Sequence, residues 1–307
     1  SNIYFQLLLL WGMLGIIDSA YRPTAVAVIA EITPQPRVGR SIGVFNAFMA
    51  AGMASGCLVG GKIADLFGLQ AVFITASVML VLGTASSLVA LKFKGSRISV
   101  ATPTGEAGER PGLGMSRLQF LVTSGLLLLC LDVFLRNSGF RGVTTFLPVY
   151  LSGLGAENTL TGTIIAVNFA SQIAFMPMMG WLSDAAGRKR VLSIGMLTTL
   201  LATFLLSMVR NPFEVIPIQM AVGFSWAAIT VSSNAFAADV APRGMLGEMM
   251  GLVFTSMSLG GVVGPIVAGV ISDFADLRIT FQILSLFPLL GFALSMKLGR
   301  KSVKVNM

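Results

Sequence analysis

Residues 43–73 read GVFNAFMAAGMASGCLVGGKIADLFGLQAVF, and residues 251–281 read GLVFTSMSLGGVVGPIVAGVISDFADLRITF. The two lie in register at a constant offset of 208 residues without a gap. Gly43, Gly52, Gly56 and Gly61 meet Gly251, Gly260, Gly264 and Gly269, while Val59, Ile63, Asp65, Leu69 and Phe73 meet Val267, Ile271, Asp273, Leu277 and Phe281. The register runs back to Gly15 and Gly223, Glu31 and Asp239, Pro34 and Pro242. Glycine and valine coincide often in apolar helices, but Gly, Pro and acidic positions held together over such a length do not. The chain therefore contains an internal repeat. Its unit is apolar, with small residues at the spacings that let helices cross closely.

Composition sets the environment of that repeat. Of the 307 residues, 55% are hydrophobic and 11% are charged, and mean hydropathy is +0.85. Soluble domains carry about 25% charged residues, and a soluble fold has no way to cover this much apolar side chain. The sequence is that of an all-α membrane protein, with the lipid bilayer as solvent. Net charge is +8, carried in short clusters between apolar runs, as in cytoplasmic loops. Nucleic acid would require a solvated basic face with aromatic platforms, and no segment supplies one. Cys57 and Cys130 lie inside apolar stretches and make no disulfide framework. The absence of histidine removes the commonest metal ligand and the usual proton shuttle. No metal and no cofactor is expected, and any proton must ride on a carboxylate. Without a paired-carboxylate motif, metal spacing or nucleophile elbow, the chain is not read as an enzyme.

Apolar runs predict nine spans, at about 3–30, 40–63, 70–92, 117–151, 159–182, 190–209, 212–238, 244–272 and 276–297. The fourth is too long for one straight span. Asn137, Ser138, Gly139, Gly142 and Pro148 interrupt it, which predicts a bent or partly unwound helix lining protein or a water cavity. Residues 93–116 are rich in Gly, Ser, Thr and Pro and form the one linker. The expected organisation is a partial N-terminal bundle over 1–92, a cytoplasmic linker over 93–116, and a six-helix bundle with a short tail over 117–307. Basic residues gather in alternate loops: Arg37 and Arg40; Lys92, Lys94, Arg97, Arg110 and Arg117; Arg188, Lys189 and Arg190; Arg243; and Lys297, Arg300, Lys301 and Lys304. That bias places the linker and the C-terminus in the cytoplasm. The repeat relates spans one to three to spans seven to nine and leaves spans four to six without copies. The parent architecture is then two six-helix halves, with three helices expected before Ser1 that this chain lacks. Repeats about an axis along the membrane normal are a device of transporters.

Three motifs resemble the major facilitator superfamily. Gly180-Trp181-Leu182-Ser183-Asp184-Ala185-Ala186-Gly187-Arg188-Lys189-Arg190 is similar to that family's loop motif in its second-half copy, between helices 8 and 9. Gly180 permits close helix approach, Gly187 permits the turn, and Asp184 can accept from backbone N–H groups at a nearby helix N-terminus. Arg188 and Arg190 hold the loop at the cytoplasmic face. This gating motif is expected to lock one state of the cycle by contacting the helix start at residues 39–43. The second motif runs through Gly43, Gly52, Gly56, Gly60 and Gly61 and resembles the antiporter motif of the family's helix 5. Cys57 stands where that motif has proline, whereas the helix-11 copy, with Gly260 and Gly264, keeps Pro265. The third is a departure: Gly15 and Pro23 hold the spacing of the exporters' helix-4 motif, but Trp11 replaces its arginine. The resemblance implies a major-facilitator-type helical bundle of nine transmembrane helices corresponding to helices 4–12.

Charges inside the spans mark a candidate pathway. Asp18 and Arg22 lie four residues apart in the first span, and Asp132 and Arg136 repeat that spacing in the fourth, with Arg141 beyond. Residues at this spacing share a helix face, and at mid-membrane each charge costs roughly 2.5–3.5 kcal/mol. Asp18, Arg22, Asp132, Arg136 and Arg141 are the expected substrate and proton pathway, with Asp132 favoured as proton carrier because Gly139 and Gly142 let its helix bend. Asn168, Gln172 and Gln219 are expected to bond between helices, and Trp226 and Phe169 are candidates for an apolar site. Leu135 to Leu151, with Phe146-Leu147-Pro148-Val149-Tyr150, resembles the helix-7 region of the family's drug-efflux branch, and that resemblance implies a secondary transporter of a small molecule in a plasma (inner) membrane, exporting drug-like or amphiphilic compounds against protons by alternating access. An importer of an organic acid or sugar, using the arginines for a carboxylate, and an inactive truncated fragment are the alternatives.

Overall fold

A computed structural model describes residues 38–93, 124–241 and 245–296, together with positions 5, 6, 9, 10, 13 and 25. Those six positions are all that is described of the first expected span; Asp18, Arg22, Trp11, Gly15 and Pro23 lie outside the described residues, as do residues 94–123 and 297–307. The chain falls into two compact units, Ser1–Met53 and Ala54–Met307, and the packing below is that of the second.

Among the described residues every element is helical. The helices are α1 (Val38–Phe67), α2 (Leu69–Phe93), α3 (Leu126–Gly153), α4 (Asn158–Ala186), α5 (Arg188–Leu206), α6 (Val215–Val240), α7 (Leu246–Ser272) and α8 (Leu277–Ser295), with a 3-10 turn at Pro212–Glu214 before α6. Positive-φ glycines punctuate them: Gly68 separates α1 from α2, Gly125 precedes α3, and Gly187 separates α4 from α5. Among the described residues, seven stretches are long and apolar enough to cross a membrane. The exception is α3, whose 28 residues carry Asp132, Arg136 and Arg141. The protein is an integral multi-pass membrane protein. Helix α2 shows what the lipid requires, since Phe73, Leu80 and Val81 are all exposed on a helix that is apolar all round.

Helix α3 packs against α7 and α8, α4 against α6, and α5 against α6 and α8. One core cluster joins Leu126, Leu129, Val133, Leu192, Met196, Ile229 and Val253. Another joins Val143, Leu147, Tyr150, Ile164, Leu206, Phe281 and Leu284, where the Tyr150 hydroxyl donates to the Val209 carbonyl at 3.0 Å.

The expected unwinding in the fourth span does not occur over the described residues. α3 is one continuous helix from Leu126 to Gly153 with Pro148 inside it. Gly139 and Gly142 are contact points, not breaks. A Cβ at Gly139 would stand 2.6 Å from Pro288 Cδ and 2.8 Å from the Leu284 carbonyl, and one at Gly142 would stand 2.9 Å from the Gly264 carbonyl. In a bilayer, where apolar attraction between helices is weak, van der Waals packing of bare backbone supplies the association.

The glycine motif divides in the same way. A Cβ at Gly260 would collide with the Phe134 carbonyl, and one at Gly264 with the Ser138 carbonyl. In the first copy, Gly61 lies against the Asn158 carbonyl, and Gly162 of α4 lies against the Cys57 carbonyl. Gly60 makes only ordinary contact with Val72, and a Cβ at Gly52 or Gly56 would meet nothing within 4 Å among the described residues. Within the second unit, the tight crossing in that copy falls at Gly61. Gly264→Ala should cost about 1–3 kcal/mol through overpacking and lower the thermal midpoint in detergent. Gly153→Ala, at an open position, should leave the midpoint within the scatter of surface substitutions.

Candidate functional site

The polar residues of α3 sit together in the apolar bundle: Asp132 is 0% exposed, Arg136 1%, Asn137 3% and Ser138 0%. The four-residue spacing puts Asp132 and Arg136 on one side of the helix, but the two do not pair. Among the described residues, neither carboxylate oxygen of Asp132 has a hydrogen-bond partner, nor have Nε and Nη2 of Arg136. Asp132 turns toward α8, where a Cβ at Gly291 would stand 3.2 Å from its Oδ1 and 3.5 Å from Met196 Sδ. The missing side chain at Gly291 makes room for the carboxylate. Arg136 turns toward α6. Its Cζ lies 4.3 Å from the Phe140 ring centroid and 4.7 Å from that of Trp226, and the two rings are 5.9 Å apart. These are cation–π distances. Arg136 Nη1 donates to Asn137 Oδ1 at 3.2 Å, and Asn137 Nδ2 donates to the Met257 carbonyl of α7 at 2.6 Å. Arg141 is exposed near Gly261 of α7.

Polar residues on other helices bond between them as expected. Asn168 Nδ2 donates to Gln219 Oε1 at 2.9 Å, and Gln172 Nε2 donates to Asn168 Oδ1 at 2.6 Å. This ties α4 to α6 where Gly223 lets the backbones approach. Ser225 donates to the Gly195 carbonyl at 2.9 Å and bonds to Thr199, tying α6 to α5.

The Gly180–Arg190 loop closes one end of the bundle. Gly187 (φ 93°) ends α4 and opens α5. Asp184 pairs with Arg188, and Arg188 Nε also donates to Asp239 Oδ2 of α6 at 3.1 Å. Its Nη1 reaches Ser183 Oγ at 3.3 Å, and Lys189 Nζ donates to the Met296 carbonyl beyond α8 at 2.5 Å. Arg190 is exposed, and Gly180 makes ordinary contact with Val231. The loop thus binds the ends of α4, α5, α6 and α8 through Arg188 and Lys189. The side chains of residues 38–43, expected to meet Asp184, lie outside the described residues. Asp239 was not among the expected site residues, although the repeat had marked it as the counterpart of Glu31.

At the opposite end of α4, Asp65 performs the chemistry expected of Asp184. Its Oδ1 accepts from Asn158 N at 3.0 Å and from Asn158 Nδ2 at 2.8 Å, and its Oδ2 accepts from Thr159 N at 2.6 Å. The residue in the N-cap position of α4, Glu157, makes no side-chain cap. A carboxylate from α1 therefore caps α4 from outside, satisfying N–H groups that a helix start leaves open and complementing its dipole.

A sequence model of the Major Facilitator Superfamily matches residues 1–167 and 129–306. The chain belongs to the Major Facilitator Superfamily. Among its relatives, the multi-drug resistance efflux pump PmrA homolog of Lactococcus lactis is 22% identical over 96% of this chain and 73% of its own length. The multi-drug resistance efflux pump PmrA of Streptococcus pneumoniae is 25% identical over 88% of this chain and 66% of its own. The multidrug resistance protein MdtG of Citrobacter koseri is 26% identical over 92% and 68%. The chain thus spans about two thirds to three quarters of these relatives. The crystal structure of a POT family transporter in complex with 5-aminolevulinic acid superposes with a TM-score of 0.63 at 12% identity, covering 92% of this chain and 74% of that one, a likeness of fold.

The Asp65 cap predicts a local signature of exchange. In Asp65→Ala the amides of Asn158 and Thr159 lose their acceptors and should exchange at least about tenfold faster, while amides in the middle of α4 keep their protection. Unchanged exchange at both positions would count against the cap.

Proposed function

We propose that the protein is a proton-linked exporter of small amphiphilic, drug-like molecules that works by alternating access. The observation that carries the reading is Asp132, a carboxyl group with no exposed surface and no hydrogen-bond donor among the described residues, set in a membrane protein of a family whose named relatives include multidrug efflux pumps. With no histidine in the chain, a carboxylate is the side chain able to take up and release a proton across the cycle. Asp132 is the described acidic residue at this depth in the bundle, and its freedom from Arg136 leaves it open to a changing partner. Gly139 and Gly142 no longer support this choice through bending, because both are packed.

Alternating access needs ties at each membrane face that form and break in turn. The Arg188 cluster at one end of α4 and the Asp65 cap at the other support that reading. With the expected orientation, the Arg188 loop and the C-terminus face the cytoplasm of an inner membrane, and residues 93–116 link a partial bundle over 1–92 to the six-helix bundle over 117–307.

Asp132→Asn in proteoliposomes of the full-length protein should abolish proton-driven accumulation while substrate exchange at equilibrium continues. Accumulation that survives in Asp132→Asn but fails in Asp18→Asn would move the carrier to Asp18. If neither substitution matters, the proton reading fails. Asp184→Asn should slow transport with little change in expression, since it removes one partner of Arg188 and leaves Asp239, and wild-type rates would remove the gating role.

A further inference from the structure

Arg136 is 1% exposed, and its guanidinium is held in place without being satisfied. Nη1 is tethered to Asn137, which is itself anchored on α7, and the Phe140 and Trp226 rings fix the group laterally. Nε and Nη2 have no hydrogen-bond partner among the described residues. These two N–H groups lie on one edge of the planar guanidinium and point in parallel, the fork that matches two oxygens of a carboxylate, sulfonate or phosphonate. Asp132, one turn away on the same helix, does not fill it, because its carboxylate faces Gly291 and Met196. A buried charged donor without an acceptor is expensive, and an oxyanion seated on the fork removes that cost. Arg141, five residues along α3, adds a second positive charge.

We propose that the Nε–Nη2 edge of Arg136 receives the oxyanion of an amphiphilic anion or zwitterion, with Trp226 and Phe140 packing against the apolar part next to that head. The proposal deepens the export reading, on which it rests, by assigning the charge class of the substrate. It makes Arg136 a specificity-determining residue, distinct from the proton carrier.

The test uses full-length protein in phosphatidylcholine nanodiscs, titrated with dansyl-labelled undecanoate, with its methyl ester, and with the same chain ending in trimethylammonium. The wild type should bind the carboxylate at least about tenfold tighter than the ester and the cation most weakly. Arg136→Lys keeps the charge but loses the parallel fork, so the preference should fall to about twofold or less, with the thermal midpoint showing that the variant is folded. Trp226→Phe, which keeps an aromatic ring beside the guanidinium but shortens the apolar wall, should weaken carboxylate and ester alike and leave their ratio. A wild type that binds carboxylate and ester equally overturns the site, whatever the variants do, and leaves the transport reading intact. Equal binding in the wild type with a carboxylate preference in Asp132→Asn also overturns it and gives the fork to Asp132. Displacement of the bound carboxylate by phosphatidylglycerol in the bilayer overturns the substrate assignment in favour of a lipid headgroup. A charge preference in a protein that shows no proton-driven efflux leaves the site standing and sinks the export reading.

Discussion

Helix α3 meets α7 with backbone against backbone, and the polar interior of the bundle depends on that contact. Gly260 and Gly264 lie on the carbonyls of Phe134 and Ser138, and Gly142 lies on the carbonyl of Gly264. A side chain at any of these places would push the helices apart by more than a hydrogen bond tolerates. Asn137 would then lose the Met257 carbonyl, and with it Arg136 would lose its orientation. On the far side of α3, Gly139 sits equally close to Pro288 and Leu284 of α8. The helix that buries Asp132 and Arg136 is thus also held tightly on two sides, and this shields both residues from lipid. The energetic reason is that lipid gives no hydrogen bonds, so a charged helix must be enclosed before it can be tolerated.

Within that enclosure the two charges are kept apart. Gly291 opens a place for the carboxylate on α8, and Trp226 with Phe140 opens one for the guanidinium toward α6. A buried ion pair would be a static solution, since breaking it leaves two uncompensated charges. Two separate, poorly satisfied groups respond instead to whatever reaches them. This arrangement suits a protein that must bind and release within one cycle.

Much of the fold was legible in the sequence because membrane helices announce themselves by length and hydropathy. The spans expected at 70–92, 159–182 and 244–272 are α2, α4 and α7 to within a few residues. The ungapped repeat located Gly260 and Gly264, and the loop motif located Gly187 and Arg188. Three things were not legible. Gly139 and Gly142 look the same in sequence whether they break a helix or admit a neighbour, and only the position of α8 and α7 decides. The spacing of Asp132 and Arg136 gives a shared face but not rotamers, so it did not say that the two side chains turn to different neighbours. Asp65 looks like an ordinary charge at a helix end, and its role depends on where the start of α4 arrives in space. The repeat did hold a signal for Asp65 and Asp239, since it preserves both as acidic positions. It carried no information on their partners.

Helix α4 is fastened at both ends and glued to α6 in the middle. At its start the Asp65 carboxylate holds Asn158 and Thr159; at its end Arg188 gathers Asp184 and Asp239. Its 29 residues span about 44 Å at 1.5 Å per residue, more than the thickness of the hydrocarbon. Such a helix is a stiff crossbar. Its length hardly changes, so a tilt that slackens the fastening at one face moves the opposite end by a comparable distance in the opposite direction. On the export reading proposed above, this geometry couples the two faces mechanically, without any relay of side chains between them.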